Sequence, residues 1–174
     1  MTQQTRDLAS EMAATFPGID PSSAMLLMRT ARLCRLIDVY RGRMASQDGG
    51  LDASGHAVLG ALLLLGPPHR LSPTFLSRYV VQTSGGMART LRRLEGDGLV
   101  TRVPDERDGR VSLVQLTKEG THLATQFQSA LLQEWQDALE LRGVDADEAM
   151  NTVNKLLETL ETLTGSRLGR TFGV

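Results

Sequence analysis

The chain has 174 residues, of which 41% are hydrophobic, enough for one substantial core or for a small domain with an oligomerisation element. Its 19 basic and 20 acidic residues give a net charge of −1, which does not indicate a nucleic-acid binder, and its single cysteine excludes an internal disulfide framework and fits a reducing cytoplasm. The longest apolar run, around residues 57–65, is about half of the roughly 18 residues that a membrane span needs, and the N-terminus lacks the basic-then-apolar order of a secretory signal.

Two helices are predicted in the N-terminal part of the chain. Residues 5–16 form a weak helical pattern that stops at a Pro-Gly pair, and a second helix begins after Asp20, where a capping residue precedes a first-turn proline. Apolar residues keep roughly helical spacing as far as Tyr40. We expect this helix to end near residues 41–43 and the polar stretch 46–50 to form a loop.

The middle of the chain predicts three helices followed by a β-hairpin. The first helix covers residues 52–65, with either Asp52 or Ser54 as its cap. The second covers residues 72–79 and opens with another cap-plus-proline pair, and the third is a basic segment that follows Thr83 and ends at a Gly-Asp-Gly turn. Runs typical of β-strands at residues 99–103 and 111–116 are separated by a charged turn. A winged helix-turn-helix needs this order to place one helix in a DNA major groove and a loop over the neighbouring minor groove.

Two more helices are predicted at the C-terminal end. Thr117 can cap a long helix that runs to about Leu141, and Asp145 can cap a final helix. Each has an apolar stripe without an obvious partner in so small a chain, and packing against a second copy is the simplest way to bury such stripes. The tail from Gly165 is expected to be disordered.

The element order gives a prediction of fold class and domains. We expect a mainly α fold with a small β-hairpin wing, in which a winged helix-turn-helix is flanked by terminal dimerisation helices. The predicted segments are the N-terminal dimerisation helices at 1–50, the DNA-binding domain at 51–117, the C-terminal dimerisation helices at 118–164 and the tail at 165–174.

Charge is unevenly distributed along these segments. Between His69 and Lys118 there are nine Lys and Arg residues and five Asp and Glu residues, whereas the rest of the chain has 10 basic and 15 acidic residues. A positive centre between acidic flanks would direct polyanions to one face of the protein.

The basic helix after Thr83 has one face for the core and one for solvent or DNA. Met87, Leu91 and Leu94 fall at i, i+4 and i+7 and are expected to face the core. The alternative to DNA binding is a solvated face with two glycines near a loosened helix start. The predicted DNA-binding residues of this helix are Ser84, Gly85, Gly86, Ala88, Arg89, Thr90, Arg92 and Arg93.

The parts of this face have different expected roles. Arg89 is the best candidate for a base contact, because a guanidinium group can reach guanine O6 and N7 together. Arg92 and Arg93 are expected to position the helix on phosphates. Small residues at the helix start let the backbone approach DNA, and free N–H groups there can bind a phosphate.

The charged hairpin turn carries a second candidate DNA contact. Arg107 and Arg110 at a protruding tip suit the narrow, strongly negative minor groove. Asp105 or Asp108 can pair with one of these arginines and hold the loop in shape. The alternative is a solvent-exposed hairpin with ordinary surface ion pairs.

These segments resemble the recognition helix and wing of the MarR family of bacterial transcriptional regulators. In helix order the resemblance covers about residues 22–163. Relatives often continue SGGM with Thr-Asn-Arg where this chain has Ala-Arg-Thr, so their operator sequence is not transferred. The motifs that carry the resemblance are SGGM at 84–87, RLE at 93–95, GLV at 98–100, DERDGR at 105–110 and LTKEG at 116–120.

The resemblance implies a homodimer with interlocked terminal helices, in which each winged helix reads half of a pseudo-palindrome in double-stranded DNA. It also implies a repressor on the nucleoid of a bacterial cytoplasm that a small effector releases. Family ligands, often aromatic acids, lie between the dimer helices and the winged domain, which here is the zone of Arg29, Arg32, Tyr40 and His56. His56 could bind a carboxylate, sense pH or simply make a local hydrogen bond.

Cys34 suggests an alternative, an oxidant-sensing repressor. Some relatives carry a reactive cysteine near the start of the first main helix, and Arg32 and Arg35 lie close to Cys34 in sequence. A cysteine on an amphipathic helix is more often a small core residue.

Nothing in the sequence indicates catalysis, a cofactor or a metal. The three histidines lack metal-ligand spacing, and there is no GxSxG elbow, phosphate-binding GxxxxGK loop or dinucleotide fingerprint. The sequence therefore predicts a non-enzyme without a cofactor or a membrane partner. The rival function is a winged domain that binds another protein, whose weak association with DNA would be insensitive to salt.

Overall fold

The computed structural model describes residues 3–48, 50–65, 69–106 and 112–165. The chain divides into two compact units, 1–44 and 45–174, and the finer division at residues 50, 117 and 164 stays a prediction. The described elements are α1 (Gln3–Thr15), α2 (Pro21–Asp48), α3 (Ala53–Leu64), β1 (Arg70–Leu71), α4 (Pro73–Tyr79), α5 (Ser84–Gly96), β2 (Val100–Pro104), β3 (Ser112–Leu116), α6 (Lys118–Arg142) and α7 (Ala146–Thr164).

The first unit consists of α1 and most of α2. Because α2 continues to Asp48, the predicted end near residues 41–43 and the loop predicted from residue 46 are wrong. A single helical glycine such as Gly42 costs only about 1 kcal/mol, and it is followed by good helix formers, Arg43 to Ala45. Several large apolar side chains of α2 are exposed, namely Leu26, Leu27, Met28, Leu33, Leu36, Ile37 and Val39.

The core of the second unit joins α3, α4, α5, the sheet and the start of α6. Its fully buried side chains include Leu59 of α3, Leu76 of α4, Leu91 of α5 and Val114 of β3. One layer of helices and the small sheet thus share a single hydrophobic core, which holds α5 against the rest of the unit.

The predicted helix caps at Asp20, Ser72, Thr117 and Asp145 are confirmed, and of the two candidates for α3 it is Asp52 that forms the cap. Each of these five residues accepts, through a side-chain oxygen, a hydrogen bond from the backbone N–H three residues later. In α4 the cap is followed by Pro73 at the first helical position. A side-chain oxygen at this position satisfies a donor that the helix itself leaves without a partner, so these helix starts follow from local chemistry.

The sheet has the order β1-β3-β2 and is antiparallel throughout. β2 and β3 form the predicted hairpin, with Val100 opposite Leu116 and Pro104 opposite Ser112. The two-residue strand β1 was not predicted. It pairs Arg70 with Gln115 on the other edge of β3, so the base of the hairpin is joined to the segment before α4.

The C-terminal helix α7 exposes its apolar residues. α7 has 19 residues, none of which is buried, and its apolar stripe of Met150, Val153, Leu157 and Leu160 is between 39% and 55% exposed. A helix stabilised by its own propensity alone is marginal in water at this length, so the stripe calls for a partner. Among the described residues, no helix has the length and apolar character that a membrane crossing needs.

Candidate DNA-binding site

Helix α5 begins at an N-cap formed by Thr83. Thr83 is extended, and its Oγ1 accepts a hydrogen bond from the Gly86 N–H at 3.1 Å. This N–H is therefore already engaged and differs from the free N–H groups that the sequence predicted for a phosphate. At Gly85, by contrast, an added Cβ would meet nothing within 4 Å, which leaves room for close approach of a nucleic-acid backbone.

The core face predicted for α5 is confirmed. Met87, Leu91 and Leu94 are at most 2% exposed and belong to the hydrophobic core. Residues three and four positions apart share one face of a helix, so these three contacts also fix which face of α5 points away from the protein.

The face opposite the core carries most of the predicted DNA-binding residues of α5. Ser84, Gly85, Ala88, Arg89 and Arg92 are exposed, and Gly86 is half-buried. Two guanidinium groups therefore share a face whose N-terminal end has small side chains. This is the arrangement that lets a helix enter the major groove with an arginine directed at base edges.

Thr90 departs from the prediction. Thr90 is only 9% exposed, so the expectation that it faces solvent or DNA is wrong for this chain. The physical reason is its spacing, because Thr90 lies three residues after Met87 and four before Leu94 and thus shares their face of the helix.

Arg93 has a partner within the protein. Its Nη1 donates a hydrogen bond to Asp52 Oδ2 at 2.9 Å, and its Nη2 donates to Oδ1. The hydrogen bonds from Arg93 hold the pKa of the Asp52 carboxyl below its ordinary value and raise the pKa of Arg93. Since Asp52 also caps α3, the pair joins the C-terminal half of α5 to the start of α3, and this contact competes with the phosphate contact predicted for Arg93.

The Asp52→Asn variant should isolate this ion pair, because asparagine keeps the N-cap. A carboxyl whose pKa is lowered on folding adds stability above its unfolded value of 3.8, and that stability is lost as the pH falls through the folded value. We therefore expect Asp52→Asn to lower the free energy of unfolding at pH 7 by at most about 1 kcal/mol, since both side chains are well exposed.

Urea unfolding at fixed protein concentration, at pH 7 and at pH values below 3.8, measures this effect. The difference between the wild type and the variant should shrink at the acidic end. Arg93→Ala in the Asp52→Asn background should cost little more than Asp52→Asn alone. A difference that stays constant with pH would contradict the assigned role of the pair.

The wing is described up to Glu106 and again from Ser112. Arg107, Asp108 and Arg110, predicted as minor-groove contacts and as a stabilising acid, lie outside the described residues, and a pair between Asp105 and one of these arginines stays a prediction. The structure shows two other ion pairs that involve hairpin residues, which the sequence did not reveal. They join Arg102 of β2 to Glu95 of α5 and Arg70 of β1 to Glu106.

A groove of about 450 Å³ runs beside the N-terminal half of α5. Thr74, Ser77 and Arg78 of α4 line it together with Ser84 and Ala88 of α5. Arg78 is exposed, so α4 adds a cation on the side of the predicted DNA-binding residues. Arg78 was not among the predicted DNA-binding residues, although its place in the last turn of the helix before the basic helix was a usable signal.

The predicted ligand residues fall into both units. In the first unit Arg29 and Arg32 are exposed, and the Arg43 guanidinium lies 5.6 Å from the ring centroid of Tyr40, within cation–π range. In the second unit His56 is 1% exposed and stacks on Phe127 of α6, with ring centroids 3.6 Å apart. His56 is thus a core side chain of its unit, and a ligand contact by any of these residues stays a prediction.

Cys34 is exposed on α2, although a cysteine on an amphipathic helix is usually a core residue. Within the described ranges, no group of three or more His, Cys, Asp and Glu residues could hold a metal ion.

Comparison with known proteins gives consistent matches. Residues 50–111 match the sequence profile of the MarR family. The transcriptional activatory protein BadR of Rhodopseudomonas palustris is 30% identical over 122 residues, which cover 70% of this chain and 69% of BadR. A MarR family transcriptional regulator of Streptomyces coelicolor, solved in complex with DNA, superposes with a TM-score of 0.67 at 20% identity, over 83% of this chain and 89% of that one.

A third match is the PcaV transcriptional regulator of Streptomyces coelicolor, solved in complex with its natural ligand. It has a TM-score of 0.58 and 25% identity, over 86% of this chain and 94% of PcaV. These structures confirm the predicted fold class, a mainly helical winged helix-turn-helix with a small sheet. The matched proteins are transcriptional regulators, which agrees with the prediction of a non-enzyme.

Proposed function

The chain belongs to the MarR family of DNA-binding transcriptional regulators, and from this premise we propose that it is a homodimeric repressor of a pseudo-palindromic operator. The observation that carries the proposal is the outward face of α5, where Arg89 and Arg92 are exposed opposite a buried core face and small residues surround the helix start. This role places the protein on double-stranded DNA in the bacterial cytoplasm, at the nucleoid.

The homodimer is supported by the terminal helices. α7 has no buried residue and an apolar stripe, and α2 exposes several large apolar side chains. A second copy of the same chain offers the same stripes, so a two-fold dimer can bury both at once. Two copies of α5 would then enter successive major grooves about one helical turn, or roughly 10 bp, apart, with the wings over the flanking minor grooves.

Arg89→Ala tests whether α5 reads bases. A bidentate arginine–guanine contact contributes about 1–3 kcal/mol of discrimination, so we expect the variant to lose about 5- to 150-fold in operator affinity and to relax the base preference at one position. Fluorescence anisotropy with the operator, with single-base operator variants and with random duplex DNA measures both effects.

Arg92→Ala is the matched control for Arg89→Ala, since Arg92 is an exposed arginine on the same face, three residues later. A phosphate contact carries no sequence information, so Arg92→Ala should weaken binding to operator and random DNA by similar factors. Equal losses on the two duplexes for Arg89→Ala would overturn its base-reading role.

We further propose that a small effector, an aromatic acid being the class that the family resemblance implies, releases the operator. The effector need only favour a dimer whose recognition helices are misplaced, by a differential affinity that matches the loss of DNA binding. That PcaV has been solved with its natural ligand supports the search for one here. Because BadR is named an activatory protein, a promoter fusion in cells with and without this gene is needed to test repression.

The exposure of Cys34 favours one alternative input, oxidation of its thiol. Peroxide should then release DNA from the wild type while Cys34→Ser stays bound. Release of both proteins, or of neither, would end this alternative.

A further inference from the structure

Arg70 contacts two parts of the wing at once. Its Nε donates a hydrogen bond to Gln115 Oε1 at 3.1 Å, and its Nη1 donates to Glu106 Oε1 at 2.9 Å. The side chain of Arg70 is 29% exposed, whereas that of Glu106 is 84% exposed. The planar guanidinium group thus uses two different nitrogens to link Gln115 of β3 to Glu106, which follows β2.

The strand register shows what this contact does to the loop. In the order β1-β3-β2, the strands β1 and β2 lie on opposite sides of β3. Glu106 follows β2, whose last residue Pro104 is paired with Ser112. Its carboxylate nevertheless reaches the guanidinium group of Arg70 on β1, so this ion pair links the chain after β2 to the opposite edge of the sheet.

From this geometry we propose that Arg70 is a positioning residue for the wing: it holds the Glu106 carboxylate from the β1 edge of the sheet and so sets the direction in which the wing approaches the DNA minor groove. The proposal rests on the proposed function in one respect, that the wing binds DNA. Arg70 itself need not touch DNA, because it acts through Glu106, which directly precedes the predicted minor-groove residue Arg107 in the sequence.

The contact between Arg70 and Glu106 acts by ordering the loop rather than by stabilising the whole domain. An exposed ion pair adds little to the stability of a whole domain. A loop that is not held must instead be ordered when DNA binds, and that entropic cost appears as lost affinity. Breaking the contact should therefore weaken operator binding while the urea midpoint of unfolding stays the same.

Charge exchange between the two residues tests the proposal. The variants are Arg70→Glu, Glu106→Arg and the double exchange, each titrated against operator DNA. Each single variant should bind about three- to tenfold more weakly than the wild type, and the double exchange should return to within about twofold, because it restores an attractive pair between the same positions.

Glu106→Arg separates positioning from simple attraction. It adds positive charge next to the predicted minor-groove arginines, so electrostatic attraction alone predicts tighter DNA binding. Loss of the Arg70–Glu106 contact instead predicts weaker DNA binding, because Arg70 would then face a second arginine at position 106. Glu119→Arg, at an exposed acid of α6, makes the same charge change away from Arg70 and is the matched control.

Amide hydrogen exchange of the protein in the absence of DNA provides a test that does not depend on the operator. Amide hydrogen exchange in a peptide that covers residues 104–112 should be faster in both single variants and return towards the wild-type rate in the double exchange. Tighter or unchanged binding by Glu106→Arg, a double exchange that fails to recover, or unchanged hydrogen exchange would overturn the proposal. If the wild type binds no operator, the proposed function fails, and the hydrogen exchange still decides whether Arg70 orders the loop.

Discussion

Replacing Val153 and Leu157 together by glutamate is expected to give a monomer that no longer binds the operator. Both residues lie on the apolar stripe of α7, about half of each residue is exposed, and no residue of this helix is buried. Placing two carboxylates in a dimer contact that excludes water costs far more than the lost apolar burial alone. A monomer can engage only one half-site, and losing the linked second site should weaken binding by at least about 100-fold.

Asn151→Glu combined with Thr159→Glu is the matched control for this double variant. Both control positions are exposed on α7 but lie off the stripe, and they introduce the same two charges. Light scattering measures the mass, and anisotropy measures operator affinity. A stripe variant that stays dimeric, or a monomer that binds like the wild type, would contradict the assigned role of α7.

Gly120→Ala is expected to cause a large loss of stability, because Gly120 packs against the backbone that leads into β2. A Cβ at this position would lie 1.9 Å from the carbonyl oxygen of Leu99 and 2.8 Å from its carbonyl carbon. These are backbone atoms, so no change of rotamer relieves the overlap. The same backbone is also held by Thr117, whose N–H and Oγ1 both donate to the Leu99 oxygen, so α6 and the entry to β2 would have to separate.

We expect Gly120→Ala to lower the free energy of unfolding by about 4 kcal/mol or more, because losses of this size come from severe defects such as a clash with the backbone. Gly96→Ala is the control, because Gly96 is also helical and an added Cβ there meets nothing within 4 Å. That change should be neutral or stabilising by up to about 1 kcal/mol. Urea unfolding at one protein concentration compares them, and a loss below about 1 kcal/mol for Gly120→Ala would contradict the described packing.

Features set by neighbouring residues were predictable from the sequence. The caps at Asp52 and Thr117 follow from a side-chain oxygen placed before a helical pattern, and the core face of α5 follows from the spacing of its apolar residues. The order of helices and hairpin was sufficient to predict the winged-helix fold. The motifs from SGGM to LTKEG then indicated the MarR family.

Features that depend on residues far apart in the chain were not predictable. Arg93 was assigned to phosphate because nothing in the local sequence shows that Asp52, 41 residues earlier, caps a helix next to it. β1 is too short to give a pattern of its own and exists only through its pairing with β3. The partner of Glu106, Arg70, lies 36 residues away on that strand, so the local sequence did not reveal this contact either.

The ligand-binding residues that the family resemblance implies define only a zone. Sequence periodicity places Tyr40 on a helix, but a pocket depends on the contacts between elements and between protein copies, which no local pattern encodes. The burial of His56 against Phe127 illustrates the difficulty, since a histidine suited to bind a carboxylate and a histidine in a core look the same in sequence.

The most direct test of the account is a titration of the wild-type protein against duplex DNA from immediately upstream of its own gene. Fluorescence anisotropy at about 50 and 200 mM salt, with a random duplex as control, measures affinity, selectivity and salt dependence together. A dimer that contacts six or more phosphates should bind the upstream duplex selectively and lose roughly 10³-fold in affinity between these salt concentrations. Equally weak, salt-insensitive binding to both duplexes would contradict a DNA-reading regulator and favour a winged domain that binds another protein.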